Sequence, residues 1–124
     1  MFVMDRLLTN RRVLVVEDEM LVLMMIEDML ADLGCESVST AATVDQALAL
    51  IDAHVFDAAM LDMNLKGSKS HPVADALAAR GVPFVFSTGY SAHAMREGYR
   101  DRPMLKKPFQ HEELAAILTR LLPR

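Results

Sequence analysis

The sequence predicts an α/β fold, a doubly wound parallel sheet with helices on both faces. Three observations carry the prediction. Five short apolar or β-branched runs alternate with five stretches of helical pattern, the mark of parallel strands joined by crossover helices. The runs beginning at Val13, Ala58 and Phe84 are apolar, as expected of strands covered on both faces. The second run is mostly polar and the fifth is short, so those two belong at the edges. Right-handed crossovers then give the strand order 2-1-3-4-5, with the switch point between strands one and three.

Each element has a local reason. Residues 1–11 read as a loose leader, without the basic region and long apolar run of a signal peptide. Val13 to Val16 is the first strand, ended by Glu17-Asp18-Glu19. Met20 to Leu33 is a run of good helix formers stopped by Gly34. Its most apolar part, Met20 to Ile26, is too short to cross a bilayer. Glu36 to Thr40 alternates and suits an edge strand. Thr43 or Asp45 opens a second helix through Asp52, with Val44, Ala47, Leu48 and Ile51 on one face.

Asp57 to Leu61 is the third strand. Ser70 caps a third helix, with Pro72 tolerated in its first turn and Gly81 closing it. Pro83 to Thr88 is the fourth strand, ended by Gly89. A short helix is expected over Ala92 to Gly98. Met104 to Lys106 is the fifth strand, stopped by Lys107-Pro108. The last helix, Gln110 to Leu122, carries Leu114, Ile117, Leu118 and Leu121 on one stripe.

Composition narrows the function classes. The chain has 124 residues, 52% hydrophobic and 24% charged, which is one globular domain's worth of core. A formal net charge of −4 favours neither nucleic acid nor an anionic membrane as partner. The single cysteine, Cys35, rules out an internal disulfide and a thiolate metal site, and fits a reducing, cytoplasmic compartment. Its apolar context makes it a buried filler. Most of the methionines, including Met20, Met24 and Met25, are expected in the core. His54, His71, His93 and His111 lack ligand spacing, and solvated or capping roles are expected of them. Lys66 to Ser70 reads as a polar loop.

The chemistry gathers at the strand ends. Strand one ends in Glu17 and Asp18, and its expected neighbour, strand three, ends in Asp62. A carboxylate at the tip of an apolar strand is costly to desolvate without a partner. Asp62 could merely cap its loop, and Glu17 and Asp18 could merely favour the positive end of the first helix. Acids at two adjacent strand ends, however, repel unless a cation sits among them. The ligand candidates are all oxygens: Asp18, Asp62, Glu17, and the backbone carbonyl of Asn64. Hard oxygen ligands with positions left for water suit Mg²⁺.

Thr88 offers a hydroxyl at the end of strand four; its ordinary role would be a turn cap. Lys106 and Lys107 are not separable on charge alone. Strand alternation sends them to opposite sides, and Lys107, next to Pro108, lies nearer the strand tip. A central aspartate with a divalent cation, a hydroxyl and a lysine suits an incoming phosphoryl group. Asp62 would be the nucleophile, with Mg²⁺ and Lys107 neutralising the oxygens. A flavin- or nucleotide-binding domain would need a Gly- or Ser/Thr-rich loop after strand one. Glu17-Asp18-Glu19 stands there and would repel phosphates.

Four segments, Val13 to Glu19, Leu61 to Asn64, Ser87 to Gly89 and Lys106 to Phe109, together resemble the receiver domain of two-component response regulators. The resemblance spans about residues 12–122. It implies a flavodoxin-like (βα)5 three-layer sandwich. It makes Asp62 the phospho-acceptor, Glu17 and Asp18 the acidic pair for Mg²⁺, and Asn64 the donor of a carbonyl to the metal. Thr88 becomes the switch hydroxyl and Lys107 the phosphate-contacting lysine. The donor would be a phosphohistidine on a sensor histidine kinase, and the output a contact with a downstream protein through the fourth helix, fifth strand and fifth helix.

The only chemistry implied is the chain's own phosphorylation and dephosphorylation. The alternative is a phosphate sink or a relay intermediate. Since only Pro123-Arg124 follow Leu122, the expectation for residues 1–124 is a single receiver domain without an output domain. The pattern specifies no oligomeric state.

Two positions depart from most receivers. Met104 stands where an aromatic residue usually precedes the lysine by three, and Gly89-Tyr90 replaces the usual alanine after the threonine. The run Pro83 to Tyr90 is similar to that of single-domain receivers nicknamed after a Phe-Ala-Thr-Gly-x-Tyr motif, with Ser87 in place of alanine. That subgroup tends to pair with kinases of the HWE or related type. The resulting expectation is a switch built on Gly89, Tyr90 and Met104.

Overall fold

A computed structural model describes residues 8–65, 68–88 and 103–122. The strands are β1 (Arg12–Val16), β2 (Ser37–Ala41), β3 (Ala58–Asp62), β4 (Asn64–Leu65), β5 (Ser68–Lys69), β6 (Phe84–Thr88) and β7 (Met104–Lys106). The helices are α1 (Met20–Asp32), α2 (Val44–Ala53), α3 (His71–Ala79) and α4 (His111–Leu121). Five strands form one parallel sheet in the order β2-β1-β3-β6-β7. With the small β4–β5 hairpin set aside, this is the expected 2-1-3-4-5.

Strand alternation divides the core in two. Leu14, Val16, Ala59, Leu61, Phe84 and Phe86 face one way and pack with Ala47 and Ile51 of α2 and Val73, Ala74 and Leu77 of α3. Val13, Val15, Ala58, Met60 and Val85 face the other way and pack with Ile26 and Leu30 of α1 and Leu114 and Leu118 of α4. Each large side chain so buried contributes roughly 1.5–3 kcal/mol. That is why the three apolar strands occupy the middle and the polar β2 lies at an edge.

Register is what positions the site. Val16 pairs with Leu61, so the next residue on each strand, Glu17 and Asp62, emerge side by side. Asp62 in turn pairs with Ser87, and Thr88 with Lys106. Helix ends follow local chemistry. Thr43 Oγ1 accepts from the Gln46 amide at 3.1 Å and starts α2. Gly34, at φ 91°, takes the left-handed conformation that ends α1.

Several expectations are corrected. The leader is not loose to its end: Leu8 is wholly buried, and its amide donates to Leu33 O at 2.9 Å. Met20, Met24 and Met25 are exposed rather than core, as is Leu21 at 78%. Apolar residues nearly all round α1 carry little phase information, and the stripe that turns inward is Ile26 and Leu30. Ser68-Lys69, inside the stretch Lys66 to Ser70 expected as a polar loop, pairs antiparallel with Asn64-Leu65. Ser70 holds the N-cap position of α3, but its side chain makes no capping bond. His71 is buried rather than solvated. The helix expected over Ala92 to Gly98 lies outside the described residues. No helix among the described residues is long and apolar enough to cross a membrane.

Candidate functional site

The site lies where β1, β3, β6 and β7 end. Glu17 follows β1, its amide donating to Ala41 O at 2.9 Å. Glu17 Oε2 accepts from the Glu19 amide at 3.0 Å, which fixes the turn into α1. Asp62 is the last residue of β3, and the Met63 amide donates to Ser87 O at 3.1 Å, tying the chain just past it to β6. Lys107 follows β7, its amide donating to Thr88 O at 2.8 Å. The buried Phe109 anchors the loop beyond.

The side chains meet as the strand order requires. Glu17, Asp18 and Asp62 each offer a carboxylate oxygen within 4.8 Å of the other two. Lys107 Nζ stands 2.8 Å from Glu17 Oε1, 3.2 Å from Asp62 Oδ2 and 3.9 Å from Glu19 Oε1. Its directed hydrogen bond goes to Asp62. The shorter contact, to Glu17 Oε1, is an ion pair with a buried carboxylate.

Burial works to lower the Lys107 pKa, but the carboxylates of Glu17 and Asp62 outweigh it and hold the pKa above its ordinary value of 10.5. The lysine therefore stays cationic. Lys106, the other candidate, is exposed to solvent. Burial pushes the Cys35 thiol up, in keeping with an inert filler; Cys35 is buried and its Sγ donates to Arg11 O and Ser37 O at 3.6 Å.

The donor set fits a divalent cation. Two carboxylates 4.8 Å apart repel by roughly 3–4 kcal/mol at an effective dielectric near 20. Mg²⁺ takes oxygens at about 2.0–2.1 Å, so opposite corners of its octahedron lie about 4.2 Å apart. Three oxygens within 4.8 Å reach that with small side-chain movements.

Among the other expected site residues, Thr88 is buried at the end of β6, one register step from Asp62. Asn64 lies two residues past Asp62 in β4, in register with Lys69. Met104 is in register with Phe86 and packs against the α2–α3 core. Gly89 and Tyr90 lie outside the described residues. Glu19, read from the sequence only as part of an acidic run, is the residue that reasoning missed: it comes within 3.9 Å of the lysine. Three consecutive acids at one strand end were its signal.

A family model described as the response regulator receiver domain matches residues 13–119. The transcriptional regulatory protein PdtaR of Mycobacterium tuberculosis is 32% identical over 108 residues, or 84% of this chain. That stretch is 53% of PdtaR, so the chain spans about half the length of the curated relative it matches. The solution structure of SdrG from Sphingomonas melonis Fr1 is 49% identical, covers 90% of this chain and 95% of its own, and superposes with a TM-score of 0.81. A BeF3-activated conformation of SdrG gives 50% identity and a TM-score of 0.79, over 90% and 96% of the two chains. The receiver domain of the sensor histidine kinase PA1611 of Pseudomonas aeruginosa PAO1, with magnesium coordinated in its active-site cleft, is 29% identical. It covers 90% of this chain and 96% of its own at a TM-score of 0.73.

Proposed function

The chain belongs to the response regulator receiver family, and from that premise we propose that Asp62 accepts a phosphoryl group from a phosphohistidine on a sensor histidine kinase. The observation that carries this reading is the convergence on Asp62 of the Lys107 ammonium, at 3.2 Å, with two further carboxylates. An Asp62 oxygen attacks phosphorus, the bond to the donor nitrogen breaks, and its electron pair leaves with the imidazole. Lys107, already cationic and beside the nucleophile, pairs with the phosphoryl oxygens as charge moves onto them. Thr88, at the adjoining strand end, donates its hydroxyl to the phosphoryl group once it is attached.

Mg²⁺ would be held by Glu17, Asp18, Asp62 and the Asn64 carbonyl, and when bound it supplies positive charge to the transferring oxygens. The product carries about −1.5 to −2 charges more at a site already acidic. That change alters the charge at the strand ends and so a contact with a downstream protein. Gly89, Tyr90 and Met104 are the switch positions in this reading, and the kinase is of the HWE type. The BeF3-activated conformation recorded for SdrG supports a switching role for its relative here.

The test is incubation with a small phosphodonor and MgCl2, followed by intact mass. The parent chain gains one phosphate, Asp62→Asn gains none, and Thr88→Ala is labelled but does not switch. Equal labelling of parent and Asp62→Asn would refute the assignment.

A further inference from the structure

The Lys107 ammonium sits among the same carboxylates that could hold a divalent cation. Lys107 Nζ lies 2.8 Å from Glu17 Oε1 and 3.2 Å from Asp62 Oδ2, and both carboxylates belong to the metal-ligating set. Both are buried, so a divalent cation and the ammonium would share one small space. A divalent cation entering among them would repel the ammonium. The nearest further carboxylate among the described residues is Glu19, whose Oε1 is 3.9 Å from Nζ.

Glu19 suits that task in three ways. Its side chain is 67% exposed, so holding an ammonium there requires little desolvation. It occupies the N-cap of α1 without making a side-chain capping bond, so capping does not compete for its carboxylate. Its amide is tied to Glu17 Oε2 at 3.0 Å, which keeps it beside the site wherever its carboxylate swings. Lysine's flexible four-carbon stem covers the remaining ångström.

We propose that Glu19 is a positioning residue that takes the Lys107 ammonium when a divalent cation occupies the carboxylates of Glu17, Asp18 and Asp62. It leaves the lysine within reach of Asp62 and removes the competition between the two cations. The inference rests on the metal site proposed above and adds a residue that does not itself ligate.

The test is titration with MgCl2 at constant ionic strength, followed by the amide signals of residues 17–19 and 62–63 and by the Lys107 Nζ resonance. The variants are Glu19→Gln, Lys107→Met and the double variant. Parent chain is expected to bind Mg²⁺ with a displaced Nζ signal. Glu19→Gln should bind roughly two- to fivefold more weakly, the worth of an exposed ion pair, and should lose most of the Nζ displacement. In the Lys107→Met background the same change should leave affinity unaltered.

Equal weakening in both backgrounds would overturn the inference, because Glu19 would then act on the metal by its charge alone. Unchanged affinity or an unchanged Nζ displacement in Glu19→Gln would overturn it too, while leaving the metal site standing. A parent chain that does not bind Mg²⁺ would overturn both. The Nζ displacement in the parent and in Glu19→Gln decides the matter even if Lys107→Met does not fold.

Discussion

Lys107 Nζ lies 2.8 Å from Glu17 Oε1, and that glutamate is 1% exposed. A buried carboxylate is tolerable only while its counter-charge persists. The carboxylates raise the Lys107 pKa above 10.5, so the folded chain holds this proton more tightly than the unfolded chain. The stabilisation is therefore complete below about pH 10 and is lost as pH rises through the higher folded value. Urea unfolding in EDTA at a series of alkaline pH values should show stability falling above 10.5, with a smaller fall in Lys107→Met. Identical falls in the two proteins would contradict the ion pair.

Magnesium should stabilise the fold through the same carboxylates. Binding to the native state alone adds about 1.4 kcal/mol for each tenfold rise in free metal above Kd. The urea midpoint should rise with MgCl2 in the parent chain and rise much less in Asp18→Asn and Asp62→Asn. A midpoint indifferent to MgCl2 in the parent would contradict the metal site.

The centre of the sheet was legible because three apolar runs admit only buried strands. The site followed from it, since strand order places the ends of Val13–Val16 and Ala58–Leu61 together. Lys107 was separable from Lys106 by alternation and by its place next to Pro108. Features set by tertiary contact were not legible. Two residues of pairing at Asn64-Leu65 give too short a pattern to mark a strand. The first two turns of α1, Met20 to Ile26, are apolar all round, so periodicity could not assign Met20, Met24 and Met25. Glu19 matters through a distance to a residue far along the chain, which no local pattern encodes.

Burial at both places can be tested by truncation. Leu8 is fully buried, so Leu8→Ala should cost about 2–5 kcal/mol in urea unfolding. Leu21 is 78% exposed, and Leu21→Ala should change stability by no more than about 0.5 kcal/mol. The reverse order of costs would mean that the leader and α1 are packed the other way.

The account stands on Asp62 being the atom-level acceptor. Reduction with borohydride after phosphorylation converts an aspartyl phosphate to homoserine, which peptide mass analysis locates. The account predicts homoserine at position 62 alone, dependent on MgCl2. Homoserine at position 18, or none at 62 in a chain that has taken up phosphate, would contradict it.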